Sequence, residues 1–244
     1  MTGVVGIHYE PNGDHFSASL KTYNGLPDDA DQPEVPEQLL KTLAGIFVRH
    51  NAHKYYGLHL VHGHSKAPTG TIMLGKTFTK GAKNICWTKP VTTLEVNGPI
   101  HGHIYKLTGD AFIPYEYREG ELPMTFTDVS KDFFQELARF LTSNNLDNLL
   151  GLEVLDRKED LYCGEYVLGH QGTVLVEQKD IVTGVPFRKT QFVFDLNGNQ
   201  EPDPIQPGTH HEGTTKSTHR VFVTKTLRTV DDVMDVLRAE HIVG

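Results

Sequence analysis

The sequence predicts an α+β fold of two related halves, each an amphipathic helix followed by mainly antiparallel β-strands, packed as one compact unit. Two observations carry this. Apolar residues recur at helical spacing in two separate stretches, and the residues after each stretch read as strands joined by hairpin turns. The two helix–strand stretches also align with each other without a gap at an offset of 94 residues.

The first half spans residues 1–125. An acidic, Pro-containing connector, GLPDDADQPEVPE, leads into a helix expected at about 36–51, with Leu39, Leu40, Leu43, Ala44 and Phe47 on one face. Pro36 suits a first helical turn, where a missing N–H leaves nothing unpaired, and Asn51 suits a left-handed stop. Strands are expected over residues 56–64, 70–78, 85–96, 100–107 and 111–118, with turns at Asn97-Gly98 and Thr108-Gly109-Asp110.

The second half spans residues 126–244. Its helix, about 130–143, presents Phe133, Phe134, Leu137, Ala138 and Leu141 on one face. Strands come next at 149–155, 165–177 and 186–196, with a turn at Asn197-Gly198. Residues 200–217 are polar and rich in Pro, Gly and Thr, and read as a long exposed loop. A strand at 218–226 and a helix at 229–241 close the chain.

In the alignment, Leu43, Ala44, Asn51, Gly57 and Leu58 recur as Leu137, Ala138, Asn145, Gly151 and Leu152. The match runs through YYGLHLV against LLGLEVL, and GTIML at 70–74 resembles GTVLV at 172–176. His59 falls on Glu153. A pseudo-twofold axis would bring these two together as an acid/base pair.

The chain of 244 residues and 27.3 kDa can bury a sizeable core. A formal net charge of −8, with lysines and arginines scattered, speaks against nucleic acid or an anionic membrane surface as partner. No apolar run approaches a membrane span, and the N-terminus lacks a signal-peptide pattern. With only Cys86 and Cys163, the expected setting is reducing and cytoplasmic.

Chemistry is concentrated in the 14 histidines. His-Gly-His occurs twice, at 62–64 and 101–103. On a strand, alternate side chains share a face about 6.6 Å apart. His62 and His64 are therefore expected on one face and His59 on the other, while His101, His103 and Tyr105 share a face. Two imidazoles so spaced suit chelation, and catalytic metal sites use about three protein ligands with one position open. A two-residue turn at Gly109-Asp110 pairs residues whose numbers sum to 219, setting Glu116 across from His103 and Arg118 across from His101.

The resulting expectation is a histidine-ligated metalloenzyme acting on a small organic molecule. His62, His64, His101 and His103 supply ligands, and Glu116 is a ligand or orients one. The divalent metal is iron or zinc in preference to copper, serving as Lewis acid or as activator of water or oxygen. His59 and Glu153 act as acid and base, and Tyr105 as a proton donor. The alternatives are a metal-free lyase, isomerase or cyclase using the same histidines, and a non-catalytic binding protein. Dinucleotide-binding, Walker, nucleophile-elbow and H-E-x-x-H patterns are absent.

Overall fold

The computed structural model describes the chain except residues 1–2, 9, 82, 123, 156–162, 182–186, 201–209, 214–219, 222 and 224. In chain order its regular elements begin with β1 (Gly3–Val4), α1 (Gly13–Asn24), α2 (Glu37–Arg49), β2 (Tyr56–Leu60), β3 (Thr71–Lys80), β4 (Lys83–Thr92), β5 (Ile100–Thr108) and β6 (Ala111–Glu119). The remainder are α3 (Lys131–Ser143), β7 (Leu150–Val154), β8 (Cys163–Val167), β9 (Thr173–Glu177), β10 (Phe187–Lys189), β11 (Gln191–Phe192), β12 (His210–Gly213) and α4 (Val230–Ala239).

These strands do not form two halves. They build one mixed, curled sheet of 12 strands, in the order β10-β12-β8-β9-β4-β3-β6-β5-β7-β2-β11, with β1 beside β6. The expected α+β arrangement of two helix-then-strand units is therefore replaced by a mainly β half-barrel. The reason is non-local pairing. β3 runs parallel to β6, and β4 lies antiparallel to both β3 and β9, so strands from both ends of the sequence interleave. Hairpin signals specify neighbours in sequence and are silent about such pairings.

The likeness between the two helix–strand stretches persists only locally. Asn51 and Asn145 both take left-handed backbone, at φ 54 and φ 55. β2 pairs antiparallel with β7, so that Leu58 faces Leu152, His59 faces Gly151 and Gly57 faces Glu153. α2 and α3 pack together above them, with the Phe47 and Phe133 rings edge to face at 4.9 Å.

Period-two alternation sorts the strand residues onto two faces. Leu58 and Leu60 of β2, Leu150 and Leu152 of β7, and Leu107 of β5 join Leu43, Phe47, Phe134 and Leu137 in the main core. Farther along the sheet, Ile85, Trp87, Val174 and Val176 meet Val233, Met234 and Leu237 of α4 in a second core. Each such buried Leu, Val or Phe contributes about 1.5–3 kcal/mol. The intervening residues, His59, Glu153, Thr88, Thr173 and Glu165, alternate with these and face the other way.

Several element boundaries also differ from expectation. α1 has no counterpart among the helices expected from the sequence; Asn12 caps it by accepting from the backbone N–H groups of Asp14 and His15. Residues 165–177 divide into β8 and β9 around a turn at Gly169–Gln171. Within the expected loop 200–217, residues 210–213 form β12, parallel to β8; residues 201–209 and 214–217 lie outside the described residues. Of the expected strand 218–226, Arg220 makes an isolated bridge to Val167, and residues 218, 219, 222 and 224 are outside the described residues. Among the described residues no helix is long and apolar enough to cross a membrane.

Candidate metal centre

β2 ends at Leu60, two residues before the first His-Gly-His, and this changes the direction of its histidines. Without a ladder there is no alternation, so His62 and His64 turn inward beside His59 instead of away from it. The His59 and His62 rings stack with centroids 5.1 Å apart, and His64 meets His62 edge-on at 5.0 Å. Gly63 lets Leu26 pack close against this segment, because a Cβ there would lie 3.1 Å from Leu26 Cβ.

The His62 Nδ1–H donates to the Leu60 carbonyl at 2.6 Å. A carbonyl can only accept, so in the neutral ring the lone pair resides on Nε2. That Nε2 lies 3.8 Å from Glu165 Oε2, and His64 Nε2 lies 3.8 Å from the same oxygen. Ligand atoms from all three side chains sit within 4.8 Å of one another. Donors at about 2.0–2.2 Å from a metal stand about 3–3.5 Å apart in tetrahedral or octahedral geometry. The two His–Glu165 distances need to shorten by a few tenths of an ångström, and the widest separation in the group by about an ångström, to close around one ion.

Glu165 comes from β8, seven inter-strand steps from β2. Across a flat sheet that separation is about 33 Å. The observed 3.8 Å contact therefore exists because the sheet curls, and the centre occupies its concave interior. Glu165 is absent from the ligands expected on sequence grounds. Its one signal is a lone carboxylate in the otherwise apolar CGEYV strand.

The second His-Gly-His is split. His101 opposes Arg118 and Gly102 opposes Tyr117, in the expected register, but the next pair is Ile104 with Glu116. Glu116 thus opposes Ile104 instead of His103. The ladder shifts on both sides of this point, leaving His103 and Tyr115 outside the pairing. Such a bulge re-aims side chains. Here adjacent residues on each strand, His103 with Ile104 and Tyr115 with Glu116, line one small cavity with His59, His62, His64, Arg118 and Glu165. Strict alternation would forbid both pairs.

The structure thus brings His59, His62, His64, His103 and Glu116 together, with Glu153 reaching in from β7. His101 and Tyr105 go elsewhere. The His101 Nδ1–H donates to the Gly120 carbonyl at 2.8 Å. Tyr105 belongs to the main apolar core, and its ring fills the space beside Gly102, where a Cβ would come 2.2 Å from the phenol oxygen.

Behind the metal-ligand candidates runs a buried polar chain. His59 Nδ1 lies 3.0 Å from Glu153 Oε2, and the other Glu153 oxygen is 3.5 Å from His103 Nε2. Arg118 donates to that same His103 nitrogen at 3.0 Å. Gly75 makes room for the guanidinium stem, since a Cβ would sit 3.2 Å from Arg118 Cδ and 3.0 Å from Thr88 Oγ1. Glu153 is 0% exposed and Arg118 2%, so both charges depend on protein partners.

Burial pushes the Glu116 carboxyl up to about 7, and the neighbouring Glu165 adds to the rise against His62, Arg118 and His64. Burial likewise holds the Tyr115 phenol well above its ordinary value, reinforced by Glu116, Glu153 and Glu165. A scan against protein-family models found no match to this chain, and searches of curated proteins and of solved structures found none either.

Proposed function

We propose that the chain is a metalloenzyme acting on a small organic molecule, with a divalent metal held by His62, His64 and Glu165. The observation that carries this is the approach of three ligand atoms from distant parts of the sequence to within 4.8 Å of one another. Two imidazoles and one carboxylate leave coordination positions open, the arrangement of catalytic rather than structural sites. The nitrogen and oxygen donors favour iron or zinc, with copper next. The metal would act as Lewis acid or as activator of water or oxygen.

The surrounding residues support that role. The Leu60 carbonyl fixes the His62 tautomer, as outer partners of metal-bound histidines commonly do. The His59–Glu153 pair stands one ring away, placed to take up or return a proton. The cavity itself measures about 10 Å³. A cavity of that size has room for about one water-sized species, so an organic substrate would reach a bound metal only when the lining shifts.

Elemental analysis of protein purified without a His tag tests the proposal. About one equivalent of metal per chain is expected in the parent protein, with near-complete loss in Glu165→Gln at unchanged circular dichroism. Metal-free parent protein, after incubation with iron(II) and with zinc(II), would defeat the metal reading. It would favour acid/base chemistry by the 3.0 Å His59–Glu153 pair alone.

A further inference from the structure

Tyr115 lines the cavity and is used by neither metal ligation nor the buried polar chain. It is 1% exposed, and its ring packs with Leu26, Val61, Met73 and Ile104. Its hydroxyl is buried with no hydrogen-bond partner among the described residues. A buried hydroxyl left so costs about 1–3 kcal/mol, and native proteins satisfy such groups with a ligand or an ordered water. Nothing in the packing demands the oxygen, because phenylalanine would fill the same apolar cluster.

Tyr115 lines the same cavity as His62, His64 and Glu165, and its phenol is within electrostatic range of Glu116, Glu153 and Glu165. A cavity of about 10 Å³ favours small species. We infer that Tyr115 is a positioning residue for the metal's exogenous ligand: its O–H donates to a small oxygen or nitrogen donor, water, hydroxide or a small monoanion, seated at the open coordination position. A protonated phenol has an O–H to donate, and a metal-bound species presenting a lone pair or negative charge is the partner that O–H suits. The register shift at Ile104–Glu116 is what turns Tyr115 toward the cavity, so the bulge serves the metal's open side. This inference rests on the metal reading above and assigns that site its ligand class.

Cobalt(II) and azide provide the test, because cobalt(II) reports its coordination in the visible spectrum. The parent protein, Tyr115→Phe and Tyr117→Phe are each loaded with cobalt(II) and titrated with azide. Tyr117 is the control: it is equally buried, but its hydroxyl pairs with Ser19 Oγ at 2.7 Å and does not line the cavity. One cobalt per chain is expected in all three, with azide bound about tenfold more weakly, or worse, in Tyr115→Phe alone. Azide affinity within twofold of the parent in Tyr115→Phe, or equal weakening in Tyr117→Phe, would overturn the inference and leave the metal reading standing. Failure of the parent protein to take up cobalt would overturn both.

Discussion

The two His-Gly-His tripeptides are identical in sequence and opposite in use. In the first, both histidines leave the end of a strand and converge on Glu165. In the second, a strand continues through the tripeptide, and a bulge sends His103 into the cavity while His101 ties down the Gly120 carbonyl. A short motif therefore does not carry its own geometry. Side-chain direction belongs to the ladder, and where the ladder ends or slips, spacing rules lapse.

The contrast is tested most severely by removing one histidine from each copy. His62→Ala should weaken metal binding about a hundredfold or more, since it deletes a ligand outright, whereas loss of outer partners alone costs about 10–100-fold. His101→Ala should retain full metal occupancy. Competition with a chromophoric chelator reads both, and equal losses would mean that the two copies serve the metal alike.

Within the second copy, His103 should matter more to folding than its neighbour. His103→Ala removes the acceptor for the buried Arg118 guanidinium beside Glu153. Truncating one member of such a buried charged group costs about 3–5 kcal/mol. His101→Ala loses the bond to Gly120 and should cost about 1–2 kcal/mol. Urea denaturation of the metal-free variants gives both values, and a reversed order would contradict the split described above.

The smallest effect contrasts a buried imidazole–carboxylate pair with an exposed one. His59–Glu153 is sealed in the site, whereas His50 Nε2–H donates to Glu136 Oε2 at 2.7 Å on the outer surface of α2 and α3. The His50 bond, with Arg49 assisting against partial burial, holds the Glu136 carboxyl below its ordinary value. A carboxyl depressed in the folded state stabilises above its unfolded pKa, and that stability is lost as pH falls through the folded one. With the Glu136 side chain 38% exposed, solvent screening keeps the contribution below about 1 kcal/mol. Glu136→Gln should therefore lower stability slightly at pH 6, by a margin that shrinks as pH falls through the acid range, as measured by urea denaturation.

Much of the secondary structure was legible. The apolar periodicities of α2, α3 and α4, the Asn51 stop and the β5–β6 turn are local, and each can be read from neighbouring residues. α1 was not, because its apolar face is weak and its cap pairs Asn12 with a histidine instead of an acid. The candidate site was half legible. His62, His64, His103 and Glu116 stand out as residue types at suggestive spacing, and the offset of 94 matches His59 with Glu153. Glu165, Arg118 and Tyr115 were hidden, because their relevance depends on strands far away in sequence.

Residue chemistry is thus a property of the sequence: it sets which side chains can ligate or move protons, and the local alternation that divides helix-covered apolar faces from a polar one. Which histidines meet a carboxylate was settled only in the folded sheet. Seven strand steps separate β2, which leads into His62, from the strand of Glu165, and curling of the sheet reduces the distance to 3.8 Å. Curvature, parallel pairing and a single register shift are collective properties of the whole sheet, set by packing and twist summed over many strands. No window of the chain short enough to show a motif contains them.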